Sequence, residues 1–230
     1  MRIEPEISGV AIVMVGSFNP AIFTPAWFAL HGLLSEKVAE NAELEVAHNQ
    51  VTLFSADWLT LQATTERFSA ATGQAPYVRL RDLVVRIFKE FLPHTPATHL
   101  GVNRQVHFTV RNAAERDRIG RALAPIQPWG KWGERIQQGS ERGGMTSLTM
   151  SQIAPKGREK TDQINVTVEP STRVGEGHLG IYVSVNDHFA IDAAEPGSAE
   201  RLMELFGKEF DASLKRSETI IDQVMSLART

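Results

Sequence analysis

Apolar residues recur at every second position in some segments of this chain and at every third or fourth in others, and the two periods alternate along it. The unbroken apolar run from Val10 to Val15, closed by Gly16, predicts a strand buried on both faces. Ser17-Phe-Asn-Pro20 is a turn, and Pro25 opens a predicted helix reaching about Ala39. Two strands are expected over 43–55 and 57–69. Leu80, Leu83, Val84, Ile87, Phe88 and Phe91 then form one stripe of an amphipathic helix over 78–92, ended by Pro93 and Pro96.

The second part of the chain runs through the same order. A strand is predicted over 100–110, and Asn112 caps a helix to about Leu123. A loop rich in Gly and Trp follows from Pro125 to Gly144, then strands near 146–153, 162–169 and 178–191. Ser198 is the expected cap of a long C-terminal helix. Its stripe is Leu202, Leu205, Phe206, Phe210 and Leu214, resumed after a bend by Ile220, Ile221, Val224 and Met225. The expected fold is α+β: a twisted antiparallel sheet with helices on one face. Its order of strand, helix, strands, helix occurs twice, as 1–95 and 96–230, either as two halves or as one continuous domain.

Alternation also sorts the strand residues by face. Leu100, Val102, Val106, Phe108 and Val110 share a side interrupted by Arg104; His99, Asn103, Gln105, His107 and Thr109 take the other. Ile164, Val166 and Val168 oppose Asn165, Thr167 and Glu169. Leu179, Ile181, Val183 and Val185 oppose His178, Tyr182, Ser184, Asn186 and His188. Leu59, Leu61 and Ala63 face inward against Trp58, Thr60, Gln62 and Thr64, as do Leu148 and Met150 against Ser147, Thr149 and Ser151. A solvated face normally carries Lys, Glu and Arg. Here amides, hydroxyls and imidazoles dominate, groups that form directional hydrogen bonds at lower desolvation cost than ions. Such a face suits a bound partner. It equally follows from the strand preference of Thr and Tyr, or from cover by a second protomer.

Composition narrows the chemistry. With 42% hydrophobic and 22% charged residues the 230-residue chain is ordinary globular protein. Its net charge of −3 gives no overall basic field for phosphate binding. It has no cysteine, so disulfides, thiolate metal sites and cysteine nucleophiles are excluded. Without a signal-peptide pattern or a spanning apolar run, a cytoplasmic protein without membrane association is expected.

No phosphate loop, dinucleotide turn, nucleophile elbow or zincin helix is present. His94, His99 and His107 lie near one another in sequence but lack acidic companions at metal-ligand spacing. Asp187 and His188 point to opposite faces, which disfavours an acid–base pair. Ser17 and Asn19 read as turn residues. No catalytic residue, cofactor or metal is expected. Trp129 and Trp132, near Lys131 and Arg135, either stack on a partner or plug the edge of the core. Lys156, Arg158 and Lys160 form a solvated turn.

Phe54-Ser-Ala-Asp-Trp58, the helix over 80–92, Leu100-Gly-Val-Asn103-Arg104 and the span from Leu205 and Phe206 through Phe210 to Leu214 carry a likeness beyond pattern. In these stretches the chain resembles a sporadically distributed, functionally uncharacterised bacterial protein family of about this length. The resemblance implies an accessory protein of a small mobile operon, of toxin–antitoxin or phage-defence type, and transfers no catalytic residue. The 125–144 loop lies outside that likeness. The repeated element order is also similar to saddle-shaped tandem folds such as the TATA-binding protein, a likeness of fold alone.

The expected function is that of a non-enzymatic binding protein. Thr60, Gln62, Asn103, Gln105, His107, Thr167, Tyr182, Ser184 and Asn186 would hold a protein partner, with Trp129 and Trp132 closing from the loop. One alternative is nucleic-acid binding through Arg111, Lys131, Arg135, Lys156 and Arg158; another is a small-molecule hydrolase or transferase of unfamiliar design. A homo-oligomer is compatible with each.

Overall fold

The fold is taken from a computed structural model that describes residues 3–136, 143–157, 162–191 and 199–229. The chain begins with β1 (Ile7–Gly16), a 3-10 turn at Pro20–Ile22, and helices α1 (Pro25–Leu30) and α2 (Glu36–Glu40). Four strands follow: β2 (Glu43–Ala47), β3 (Val51–Ala56), β4 (Leu59–Thr64) and β5 (Arg67–Thr72). Helix α3 (Val78–Arg86) widens into a π-turn over Ile87–Phe91 and leads to β6 (Ala97–Thr109) and α4 (Ala113–Leu123). Next come a 3-10 turn at Gln127–Trp129, α5 (Gly130–Ile136), β7 (Leu148–Ile153), β8 (Gln163–Pro170), β9 (Gly180–Ala190) and α6 (Ala199–Ser226).

The strands form one nine-stranded sheet in the order β2-β3-β4-β5-β1-β6-β9-β8-β7, antiparallel throughout. β1 and β6 are central neighbours. After each, the chain goes to an edge and returns strand by strand until β5 lies beside β1 and β9 beside β6. The repeated order in the sequence thus appears as a mirrored strand order in one continuous sheet.

One face of that sheet is the floor of the core. Val10, Ile12 and Met14 of β1 join Phe54, Leu61, Phe68, Leu100 and Val102 beneath α1, α3 and the first half of α6. Phe18, Phe23, Phe68 and Phe88 interlock there; Phe68 and Phe88 meet edge to face at 4.9 Å. A second cluster packs Val106, Phe108, Val183 and Val185 against Ile119 of α4 and Ile221 and Met225 of α6. Helix α6 spans both clusters without a break. Its middle is small and polar: Ser213 and Ser217 are fully buried, the latter donating to the Ser213 carbonyl at 2.9 Å. Among the described residues, no helix is long and apolar enough to cross a membrane.

Several predicted elements differ. The helix expected over 25–39 is two helices, because Gly32 takes φ +60° after His31 and Ser35 caps a new start by accepting from Val38 N–H at 3.3 Å. The two strands expected over 43–69 are four. Their extra turns fall at His48–Gln50 and at Glu66, where the Thr64 hydroxyl accepts from the Glu66 and Arg67 amides. β1 is not buried on both faces: its even residues face the core, while Val13 is half-buried and Val15 is exposed. Trp58 is buried, not outward, because it occupies the β3–β4 turn behind Asp57 (φ +46°) with Arg79 4.1 Å above its ring. Met150 shares the core side of β7 but is 65% exposed, since β7 is an edge strand. Ser198, Arg158 and Lys160 lie outside the described residues, as does part of the 125–144 loop.

Candidate functional site

Strand register, not sequence distance, assembles the second face of the sheet. In β1, Gly9, Ala11 and Val13 stand beside Gln105, Asn103 and Gly101 of β6. Asn103, Gln105 and His107 pair in turn with Asn186, Ser184 and Tyr182 of β9, which meet Asn165, Thr167 and Glu169 of β8. On the other flank Ala11 and Val13 pair with Ala71 and Ser69 of β5, and these with Thr60 and Gln62 of β4. Antiparallel partners project to the same side. The nine predicted strand residues, Thr60, Gln62, Asn103, Gln105, His107, Thr167, Tyr182, Ser184 and Asn186, therefore lie on one face, opposite the helices.

Hydrogen bonds knit the polar half of this face. Asn186 Nδ2 donates to Asn103 Oδ1 at 2.6 Å. The Ser151 hydroxyl donates to Asn165 Oδ1 at 2.6 Å, and Thr149 and Thr167 share a hydroxyl bond at 2.9 Å. His99 and His188 lie 5.3 Å apart between ring centres, and Tyr182 lies 4.7 Å from His107. Charged positions that the register assigns to the face, Glu43, Arg67 and Glu169, stand at strand ends. The flank from β1 to β3 interleaves small and aliphatic residues, Ala11, Val13, Val15, Ala71, Val51 and Leu53, with the polar Ser55, Thr60, Gln62 and Ser69.

His107 is 8% exposed. Its Nδ1 is bonded to Ser171 Oγ at 2.7 Å. Burial, and then the charge of Arg173, push its pKa below the ordinary histidine value, against a smaller upward pull from Glu169. Both effects favour the uncharged ring.

The remaining candidates lie elsewhere. Trp129 and Trp132 are 61% and 52% exposed, so they do not plug the core; their rings are 5.6 Å apart on the 3-10 turn and α5. That segment follows α4, whose Ile119 packs on the helix side of the sheet. Arg111 pairs with Glu115, Lys131 and Arg135 stand on α5, and Lys156 is in the turn after β7. Asp187 and His188 face opposite sides, Asp187 being buried against Arg216 at 2.7 Å. Among the described residues, no group of three His, Asp or Glu side chains could hold a metal ion.

Two concavities stand out among the described residues. A groove of about 390 Å³ on the helix side runs between α1, α2 and β2 and is mostly apolar, with Pro25, Ala26, Ala29, Ala39 and Leu44 in its walls. A smaller cleft of about 200 Å³ opens where β1 starts, beside Gln105, His107 and Arg173. Sequence reasoning missed Ser171 and Arg173, which follow β8 in an irregular segment without periodicity. It also missed the outward side of β1, where the small Gly9 and Ala11 were the available signal.

No family model matches the chain, and no curated protein matches it.

Proposed function

We propose that this chain is a non-catalytic binding protein whose helix-free sheet face holds a protein partner through Thr60, Gln62, Asn103, Gln105, His107, Thr167, Tyr182, Ser184 and Asn186. The observation that carries this reading is the register that gathers hydrogen-bonding, uncharged side chains from β4, β6, β8 and β9 onto one side of the sheet. Aliphatic residues of β1 and β3, Val13, Val15, Val51 and Leu53, add apolar contact area beside them. Nine strands at about 4.8 Å spacing span about 38 Å, and six residues of strand about 20 Å. The resulting rectangle, roughly 760 Å², matches the roughly 800 Å² that each partner contributes to a standard protein interface. A net charge of −3 and charges confined to strand ends favour a polypeptide over a nucleic acid. The resemblance to a sporadic bacterial family supports an accessory role in a small mobile operon.

Affinity capture from cells of the source organism tests this reading. The wild-type chain and a control, Glu204→Lys on the solvent side of α6, should retain the same partner; the double variant Gln105→Glu/Asn186→Lys, folded by circular dichroism, should lose it. Undiminished capture by the double variant would refute the site.

A further inference from the structure

The two halves of the sheet are built alike but closed differently. Counting outward from the central pair β1 and β6, β5 corresponds to β9, β4 to β8 and β3 to β7. In the first half β2 covers the outer edge of β3. In the second half the outer edge of β7 has no strand against it among the described residues. Ladder hydrogen bonds alternate in direction along a strand, so every second residue of β7 turns its N–H and C=O away from β8. Thr149 to Ile153 are exposed, Met150 by 65% and Ile153 by 73%.

The two edges also differ in how they resist pairing with another strand. Edge strands are ordinarily blunted by charge, proline or a bulge. β2 carries Glu43 and Glu45, and its register shifts between Leu44 and Val46. β7, Leu148-Thr-Met-Ser-Gln-Ile153, holds neither a charge nor a proline and pairs with β8 in unbroken register. The uncharged stretch reaches back to Met145. An antiparallel second copy of β2 would set glutamates against one another across the ladder, whereas β7 opposes itself without a charge conflict.

We infer that β7 pairs antiparallel with β7 of a second copy of this chain, which supplies the covering strand that the second half lacks. A two-fold axis normal to the sheet brings like faces together only when residues of equal parity meet, so the axis passes through a residue. Placed at Met150, it sets that exposed side chain against its own counterpart and Leu148 against Gln152 on the helix side, with Thr149 against Ser151 on the open side. The assembly closes at two copies, because both edges left free are then β2. The two open faces lie on one side of a continuous sheet. A six-residue edge is only about 20 Å long, which places the contact among the weak interfaces of less than about 1,200 Å². A dissociation constant in the micromolar range is expected. The inference is independent of what the open face binds.

Sedimentation equilibrium of the full chain from about 1 to 500 μM tests it. The mass should rise from that of the monomer toward twice that value. Met150→Lys, which places like charges face to face, should weaken the association about tenfold or more. Val46→Lys on β2 should leave it unchanged, and circular dichroism checks that both variants fold. Because the chain has no cysteine, Met150→Cys gives a second readout. Directly opposed residues lie about 4.5–5.5 Å apart between Cα atoms, a separation that suits a disulfide. Mild oxidation should therefore link Met150→Cys into dimers much faster than Val46→Cys. A chain that stays monomeric throughout, a dimer indifferent to Met150→Lys, or equal linkage of the two cysteine variants would each overturn the inference. Loss of partner capture by Met150→Lys in a monomeric chain would assign the edge to a strand of another protein and overturn it likewise.

Discussion

Arg104 Nε donates to Glu218 Oε1 at 2.7 Å, joining the centre of β6 to the middle of α6. The guanidinium also donates to the Gly9 and Gln105 carbonyls at 3.0 and 3.1 Å and to Ser8 Oγ at 2.8 Å, with the Tyr77 ring 5.2 Å away. A second pair with exchanged signs, Asp187 of β9 and Arg216 of α6, lies nearby in the fold. Together with Ser213 and Ser217, these pairs make the polar middle of an otherwise apolar helix–sheet interface. A charge inside a core is tolerated when its donors find acceptors, as all three nitrogens of Arg104 do. The network fixes how α6 lies across both halves of the sheet.

Removing Arg104 should therefore cost far more than removing its exposed partner. Arg104→Met strands several buried acceptors, and a loss of about 3 kcal/mol is expected. Glu218 is 35% exposed, so Glu218→Gln should cost about 1 kcal/mol. Urea denaturation followed by circular dichroism measures both; equal losses would show that the ion pair, not the acceptor network, dominates.

Gly101 separates the role of the open face from that of the fold. A Cβ there would come within 2.8 Å of Asn186 Nδ2 and 3.4 Å of Asn103 Nδ2, the far ends of two flexible side chains. Gly101→Ala should displace the Asn103–Asn186 bond at a stability cost within about 1 kcal/mol. Partner capture should nonetheless fall, since the centre of the face is rearranged. A variant that captures as well as wild type would mean that this amide pair has no part in binding.

Alternation made the helix-facing and open faces readable in the sequence wherever a strand had one side covered, as in Val102/Asn103 or Val183/Ser184. It failed where its physical premise failed. In β1 the outward Ala11, Val13 and Val15 are as apolar as the inward Ile12 and Met14, so the pattern imitates a doubly covered strand. At Trp58 a turn with a positive φ at Asp57 redirects the side chain, and strand parity no longer applies. On β7 the inward Met150 has no helix above it, because coverage depends on where α4 and α6 lie. The cleft was illegible for another reason: Ser171 and Arg173 reach His107 through tertiary folding of a segment without a repeat.

His107 gives the fold a pH dependence of known sign. Its pKa is lowered in the folded state by burial and by Arg173, with Glu169 opposing. The unfolded chain, titrating near 6.5, therefore binds the proton more readily. Stability from the neutral ring is complete above that value and is lost as pH falls through it toward the folded pKa. The stability of wild type relative to His107→Gln should be flat above about pH 7 and decline on acidification below about 6.5. A difference that rises on acidification would reverse the assignment of His107 as a buried neutral ring.

The tryptophans provide a final contrast, between side chains that hold the fold and side chains that only border solvent. Trp58 is buried beneath the Arg79 guanidinium, whereas Trp129 and Trp132 meet each other at a tilt of 56° in the open. Acrylamide should quench the emission of the wild-type protein strongly, and Trp129→Phe/Trp132→Phe should remove most of the quenchable signal while changing stability by no more than about 0.5 kcal/mol. Trp58→Ala should leave the quenchable fraction in place and cost about 3 kcal/mol, because a packed aromatic ring and its cation–π contact are both lost. If the double variant proves to be the less stable of the two, α5 is held to the body of the protein through its tryptophans. The exposed pair would then be part of the fold and not surface available to a partner.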